Sequence, residues 1–196
     1  MECKNPNHPK KGSMITVEPI RDPKMIWQIK EMLLDKPLYL CLFVLGINTN
    51  LRASDLLALK VAQVMHLKPM DDLVLKEKKT GKERRISLNK ISIEVIQRLI
   101  LENGFDRDGY LFVGQRGLLT VPSLSTLVKS WCRKVGLEGN YGSHTLRKTW
   151  AFQQYKNFKV PLPILMRCLN HSSERQTLAY IGIQPEEVKG VYNNEI

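Results

Sequence analysis

The sequence predicts a single, mainly α-helical α+β domain that carries one small antiparallel β-sheet. Three observations lead there. Apolar residues recur at helical spacing over most of the chain. The texture changes once, after residue 72, where two short β-type runs flank Lys79-Thr80-Gly81-Lys82. The chain has 196 residues, 43% hydrophobic and 25% charged, enough to bury one sizeable core. That composition excludes a disordered chain, a collagen-like repeat and a disulfide-stapled miniprotein. No internal repeat or low-complexity segment interrupts it.

The elements follow in order. Residues 1–20 are polar and basic, with Pro6, Pro9, Gly12 and Pro19, and read as a tail or linker end. The domain is expected over 21–196. Asp22-Pro23 supplies a side-chain cap and a residue already at helical φ; Met25, Ile29, Met32 and Leu33 continue at helical spacing. Pro37 opens a second helix, apolar nearly all round through Leu45 and so expected inside the core. A third is expected over Leu51–Leu59, with Arg52 and Asp55 on one face. Strands are expected at 73–75 and 85–88, and a helix at 90–103. The strongest amphipathic helix follows Pro122, through Leu124, Leu127, Val128, Trp131 and Val135. Ser143 is expected to cap the next helix, which carries His144, Leu146, Arg147 and Trp150. Shorter helices are expected at 162–169, 173–181 and 185–192.

Thirty basic against nineteen acidic side chains give a formal charge of +11. The default partner of such a chain is a polyanion, nucleic acid ahead of an anionic membrane; the plainer alternative is a basic protein without one. Cys3, Cys41, Cys132 and Cys168 show no metal-ligand spacing, and the last three sit in apolar surroundings that suggest packed free thiols. No stretch reads as a signal peptide, and Leu38–Ile47 is too short to span a bilayer. A cytoplasmic protein without a membrane partner is expected.

Three segments place charged groups where the helical pattern predicts solvent or a cleft: Leu51-Arg52-Ala53-Ser54-Asp55-Leu56, Ser143-His144-Thr145-Leu146-Arg147, and Leu169-Asn170-His171-Ser172-Ser173 with Tyr180 beyond it. Each alone is weak. An Arg and an Asp on a helix are most often a solvated pair, and Tyr180 among Leu178, Ala179 and Ile181 is most often a packing residue. In this order, however, the segments resemble the active-site motifs of the tyrosine recombinase (phage integrase) family. There LR-x-S-E-L, H-x-L-R and L-G-H-S-S followed by Tyr carry catalysis. The 78–85 run KKTGKERR resembles the family's K-T-G-K hairpin, and the likeness spans about residues 22–192.

The resemblance implies a catalytic set of Arg52, Lys79, His144, Arg147, His171 and Tyr180, with Asp55 in support, and a tyrosine recombinase catalytic-domain fold. The chemistry of the residue types agrees with it. Cleaving a phosphodiester builds charge on non-bridging oxygens, which guanidinium groups match. A tyrosine nucleophile leaves a covalent 3′-phosphotyrosine; His144 would take or orient its proton and Lys79 would protonate the leaving 5′ oxygen. No metal, ATP or other cofactor is expected. Residues 76–85 carry six basic and two acidic side chains, so Lys76, Lys78, Lys82, Arg84 and Arg85 are candidate contacts to the DNA backbone.

Three positions depart from the family pattern. Asn170 replaces a Gly, Asp55 replaces a Glu, and Lys148 stands where His is frequent. None removes a catalytic group. Family members usually add an N-terminal helical domain that clamps the DNA; twenty polar residues cannot form one. An isolated catalytic domain is therefore expected, or a short recombinase of the kind that inverts fimbrial promoter segments. The resemblance also implies a dimer or tetramer on double-stranded DNA, with the segment after Tyr180 docking on a neighbour or packing on its own domain. The competing functions are a relaxing topoisomerase and a DNA-binding regulator that keeps the fold without recombining.

Overall fold

The computed structural model describes residues 16–104 and 106–183, together with 189, 192, 193 and 195. Helix α1, Pro23–Met32, begins as its cap predicts, with Asp22 Oδ1 accepting from Lys24 N at 2.8 Å. Helix α2, Pro37–Asn48, is buried continuously from Leu40 to Gly46, as its apolar circumference requires. The expected third helix shrinks to one turn, α3, Ala53–Leu56. Arg52 is extended at its start, and beyond it Leu111 N donates to Leu59 O at 2.8 Å while Lys60 bridges to Tyr110. A pairing 50 residues away thus overrides the local helical pattern. A turn of helix that the spacing does not announce follows, α4, Val61–Val64.

Strands β1, Asp72–Lys76, and β2, Glu83–Ser87, form the expected antiparallel hairpin, with Leu73 opposite Ile86 and Leu75 opposite Arg84. Gly81 turns it at φ +68°. Helix α5, Lys90–Asn103, starts at the Asn89 cap and ends at left-handed Gly104. A second small hairpin, β3 at Val113–Gly114 and β4 at Gly117–Leu118, was not expected; two-residue strands leave no periodicity to read. Helix α6 is Val121–Lys134 and α7 is Ser143–Lys156. Ser143 is the first helical residue of α7 rather than its cap; Gly142 takes that place and its N–H donates to Thr145 Oγ1 at 3.0 Å. Helix α8, Leu162–Leu169, stops at Asn170 in the left-handed region (φ +57°), and α9, Glu174–Ile181, follows the Ser173 cap. The helix expected at 185–192 falls largely outside the described residues, as does Cys3.

Helix α2 is the axis of the core, packed on α5 and α7. A smaller cluster of Ala151, Phe152, Leu165, Leu169 and Ile181 joins α7, α8 and α9. Residues 16–20, grouped by composition with the tail, pack on this body: Ile20 is fully buried and its N–H donates to Thr149 Oγ1 at 2.8 Å. Cys41 and Cys132 are buried free thiols, but Cys168 is exposed at the end of α8, contrary to the packing expected of it. Among the described residues no helix is long and apolar enough to cross a membrane.

Candidate active site

Four places on the fold converge. Arg52 stands at the start of α3, Lys79 on the β1–β2 hairpin, His144 and Arg147 on the first turns of α7, and His171 and Tyr180 before and at the end of α9. Arg147 is the most enclosed of them, 5% exposed. Its Nη2 donates to Leu169 O at 2.9 Å, at the carbonyl-rich end of α8, where a cation is favoured. Its Nη1 is buried without a hydrogen-bond partner. Burial, then Arg84 and Arg52, pushes the guanidinium pKa down to about 10, so it remains a cation at neutral pH.

Tyr180 Oη is likewise buried, and no well-aligned hydrogen bond reaches it. Burial raises the phenol's pKa, and the nearby Arg147 and Arg52 charges, with Arg147 also close enough to donate to the phenol, oppose that rise. The ring meets His171 edge-on, centroids 5.1 Å apart, and Lys148 Nζ lies over it at 5.4 Å. His171 is set by its Nδ1, 3.0 Å from Thr177 Oγ1. Burial, Arg147 and Arg52 lower the His171 pKa. The His144 pKa is lowered too, first by desolvation on its protein-facing side and then by the charges of Arg147, Lys148, Lys79 and Arg52, although the side chain stays open to solvent. Both rings are therefore neutral at pH 7, and all six residues of the expected catalytic set lie within one electrostatic neighbourhood.

Asp55 links two of the parts. Its Oδ1 accepts from Lys78 N at 2.9 Å and its Oδ2 lies 4.0 Å from Arg52 Nη1. Lys76, Lys78, Lys79, Lys82 and Arg85 are exposed on the hairpin. Arg84 is not among them: it turns inward, with Nη1 on Glu77 Oε1 at 2.8 Å and Nη2 on Cys168 O at 3.0 Å. Glu77, which the sequence reading passed over, is buried between Arg52 and Arg84. The signal for both was present, since residues 73, 75 and 77 share one face of β1 and its extension, and 84 and 86 share one face of β2. A cleft of about 450 Å³ between hairpin and α8 is lined by Lys82, Arg84, Arg85 and Arg167, with Glu77 and Glu83. Among the described residues no group of three or more His, Cys, Asp or Glu side chains could hold a metal ion.

The family model described as the phage integrase family matches residues 26–187. The chain belongs to the phage integrase family. It is 35% identical over 184 residues to the "Probable integrase/recombinase YoeC" of Bacillus subtilis (strain 168), covering 91% of this chain and 97% of that one. The fold of this integrase-family chain matches the crystal structure of XerA recombinase with a TM-score of 0.74 and 17% identity, over 92% of this chain and 65% of XerA. It matches XerH site-specific recombinase bound to difH substrate with a TM-score of 0.68 and 19% identity, over 93% of this chain and 56% of XerH. The fold is that of the tyrosine recombinase catalytic domain, mainly helical with a small antiparallel sheet. This chain spans under two thirds of those two recombinases' length.

Proposed function

We propose that this integrase-family protein is a site-specific DNA recombinase that cuts and rejoins strands through a 3′-phosphotyrosine at Tyr180. The observation that carries the reading is the burial of Tyr180 Oη beside the Arg147 guanidinium and near Arg52, with neither Tyr180 Oη nor Arg147 Nη1 in a well-aligned hydrogen bond. A buried cation and a buried hydroxyl that are only poorly aligned with each other are costly unless a ligand completes them. A phosphodiester would complete both.

In this reading Arg52, Arg147 and His171 hold the non-bridging oxygens of the scissile phosphate. The raised phenol pKa means that Tyr180 enters as a neutral hydroxyl. Its proton passes to neutral His144 as the Tyr–O–P bond forms. The P–O5′ bond breaks, and Lys79 gives its proton to the departing oxygen. Rejoining is the reverse: a 5′ hydroxyl attacks and the tyrosine leaves. One phosphoester replaces another at each step, so ATP is not required, and the chain's own groups supply every proton and countercharge without a metal. The partner is double-stranded DNA, contacted by Lys76, Lys78, Lys82 and Arg85, with two or four copies of the protein on the recombining sites.

A nicked suicide substrate tests the reading. The wild-type protein should form a covalent adduct. Tyr180→Phe loses one oxygen and keeps the ring, so DNA affinity should hold while the adduct disappears. Adducts that survive Tyr180→Phe but vanish in Tyr192→Phe would reassign the nucleophile to a residue that is 86% exposed. No adduct from the wild type would indicate a binding protein.

A further inference from the structure

The inward face of the hairpin carries a carboxylate that the proposed chemistry leaves without a task. Glu77 directly follows β1, and its side chain is 4% exposed. Its two oxygens hold three side chains. Oε1 accepts from Arg84 Nη1 at 2.8 Å. Oε2 accepts from Thr80 Oγ1 at 2.7 Å and faces Arg52 Nη1 at 2.6 Å. One carboxylate thus stands between Arg52 and the residue next to Lys79.

The backbone closes around the same point. Glu77 N donates to Lys82 O at 2.9 Å, and Gly81 N donates to Glu77 O at 2.8 Å. Asp55 makes a parallel link, from Lys78 N to the Arg52 side. Burial alone would raise the Glu77 pKa, but hydrogen bonds from Arg52, Arg84 and Thr80, and the Arg52 charge, bring it down to about 2. The group is ionised at any working pH. Without that charge, Arg52, Arg84 and the lysines of the turn would face one another with one fewer counterion.

We infer that Glu77 is a positioning residue, whose carboxylate fixes the 78–82 turn against Arg52 so that Lys79 and Arg52 reach the same phosphodiester together. This rests on the reading of Lys79 as general acid and Arg52 as phosphate clamp. Lys79 has an exposed, flexible side chain, so its placement depends on how firmly its backbone is held. A general acid displaced by an ångström loses much of its effect, on the order of 10²-fold.

The test compares single-turnover cleavage of two suicide substrates, one ordinary and one with a 5′-bridging phosphorothiolate, whose sulfur leaves without protonation. Glu77→Gln should slow the ordinary substrate by about 10–100-fold and lose most of that defect on the phosphorothiolate. Combined with Lys79→Ala, it should be no slower than Lys79→Ala alone. Thr80→Val removes the turn's hydroxyl from Glu77 at an exposed position, and should show the same rescue if Glu77→Gln does not fold. Hydrogen exchange at the Lys78 and Gly81 amides should quicken in both variants.

Equal slowing on the two substrates would overturn the inference, since Glu77 would then act through Arg52 or through the fold alone. Faster cleavage by Glu77→Gln would also overturn it, because the carboxylate would then be blocking Arg52. If the wild type forms adduct with neither substrate, the strand-transfer reading fails instead. Amide exchange then decides for Glu77: faster exchange in the variants supports positioning, and unchanged exchange overturns it.

Discussion

At the scale of single residues, the site is a set of cations crowded against groups that must stay uncharged. Arg147 is anchored through Nη2 to Leu169 O, while its Nη1 makes no well-aligned hydrogen bond and its guanidinium lies near the Tyr180 phenol. The same crowding acts on the two histidines. Burial comes first, then the neighbouring cations, and both rings are held below the usual histidine pKa. The sign follows from linkage: the unfolded chain takes up those protons first, so this part of the stability is present above about pH 6.5 and is lost as pH falls toward the lower folded values. NMR titration of the DNA-free protein should place the His144 and His171 midpoints below about 6.5. Arg147→Met removes the largest charge acting on both, so the two midpoints should move up together. Midpoints at or above the ordinary value would contradict the arrangement.

At the scale of elements, α2 and α7 determine how the site is carried. Their contact depends on Gly46, where an added Cβ would come within 2.5 Å of Leu146 Cδ1 and 3.0 Å of its Cβ. Leu146 is 2% exposed and has no room to swing away. It also sits between His144 and Arg147 on α7. Gly46→Ala should therefore destabilise the protein by about 1–3 kcal/mol in urea unfolding, despite the higher helix propensity of alanine. Cleavage should fall further than the loss of folded protein explains, because α7 must shift. Unchanged stability would show that α7 is packed less tightly than these distances imply. The β1–β2 hairpin makes the complementary point: its period of two sorts the basic run into exposed cations and an inward pair, Glu77 and Arg84.

For the whole molecule, the +11 charge makes DNA binding salt-dependent. If the five exposed hairpin cations all meet phosphates, affinity should fall on the order of a few hundred-fold between about 50 and 200 mM salt. Lys82→Ala should reduce the slope of log affinity against log salt by about one. Arg84→Ala should leave that slope nearly unchanged and lower stability instead, because its guanidinium is committed to Glu77 and Cys168 O. A titration without slope would remove the hairpin from the DNA interface.

The features legible in the amino-acid sequence are local or ordered along the chain. The cap at Asp22, the apolar circumference of α2, the Gly81 turn and the spaced Arg, His-x-x-Arg and His…Tyr motifs all act within a few residues, so they are legible without a partner. The tertiary structure decided the rest. Helix α3 is one turn long because residues 59–60 pair with 110–111, and Ile20 belongs to the core because Thr149 accepts its N–H. Glu77 matters because Arg52, 25 positions earlier, meets it. Each of these depends on groups distant in sequence whose buried polar atoms must find partners, and a one-dimensional pattern does not specify which partner is found.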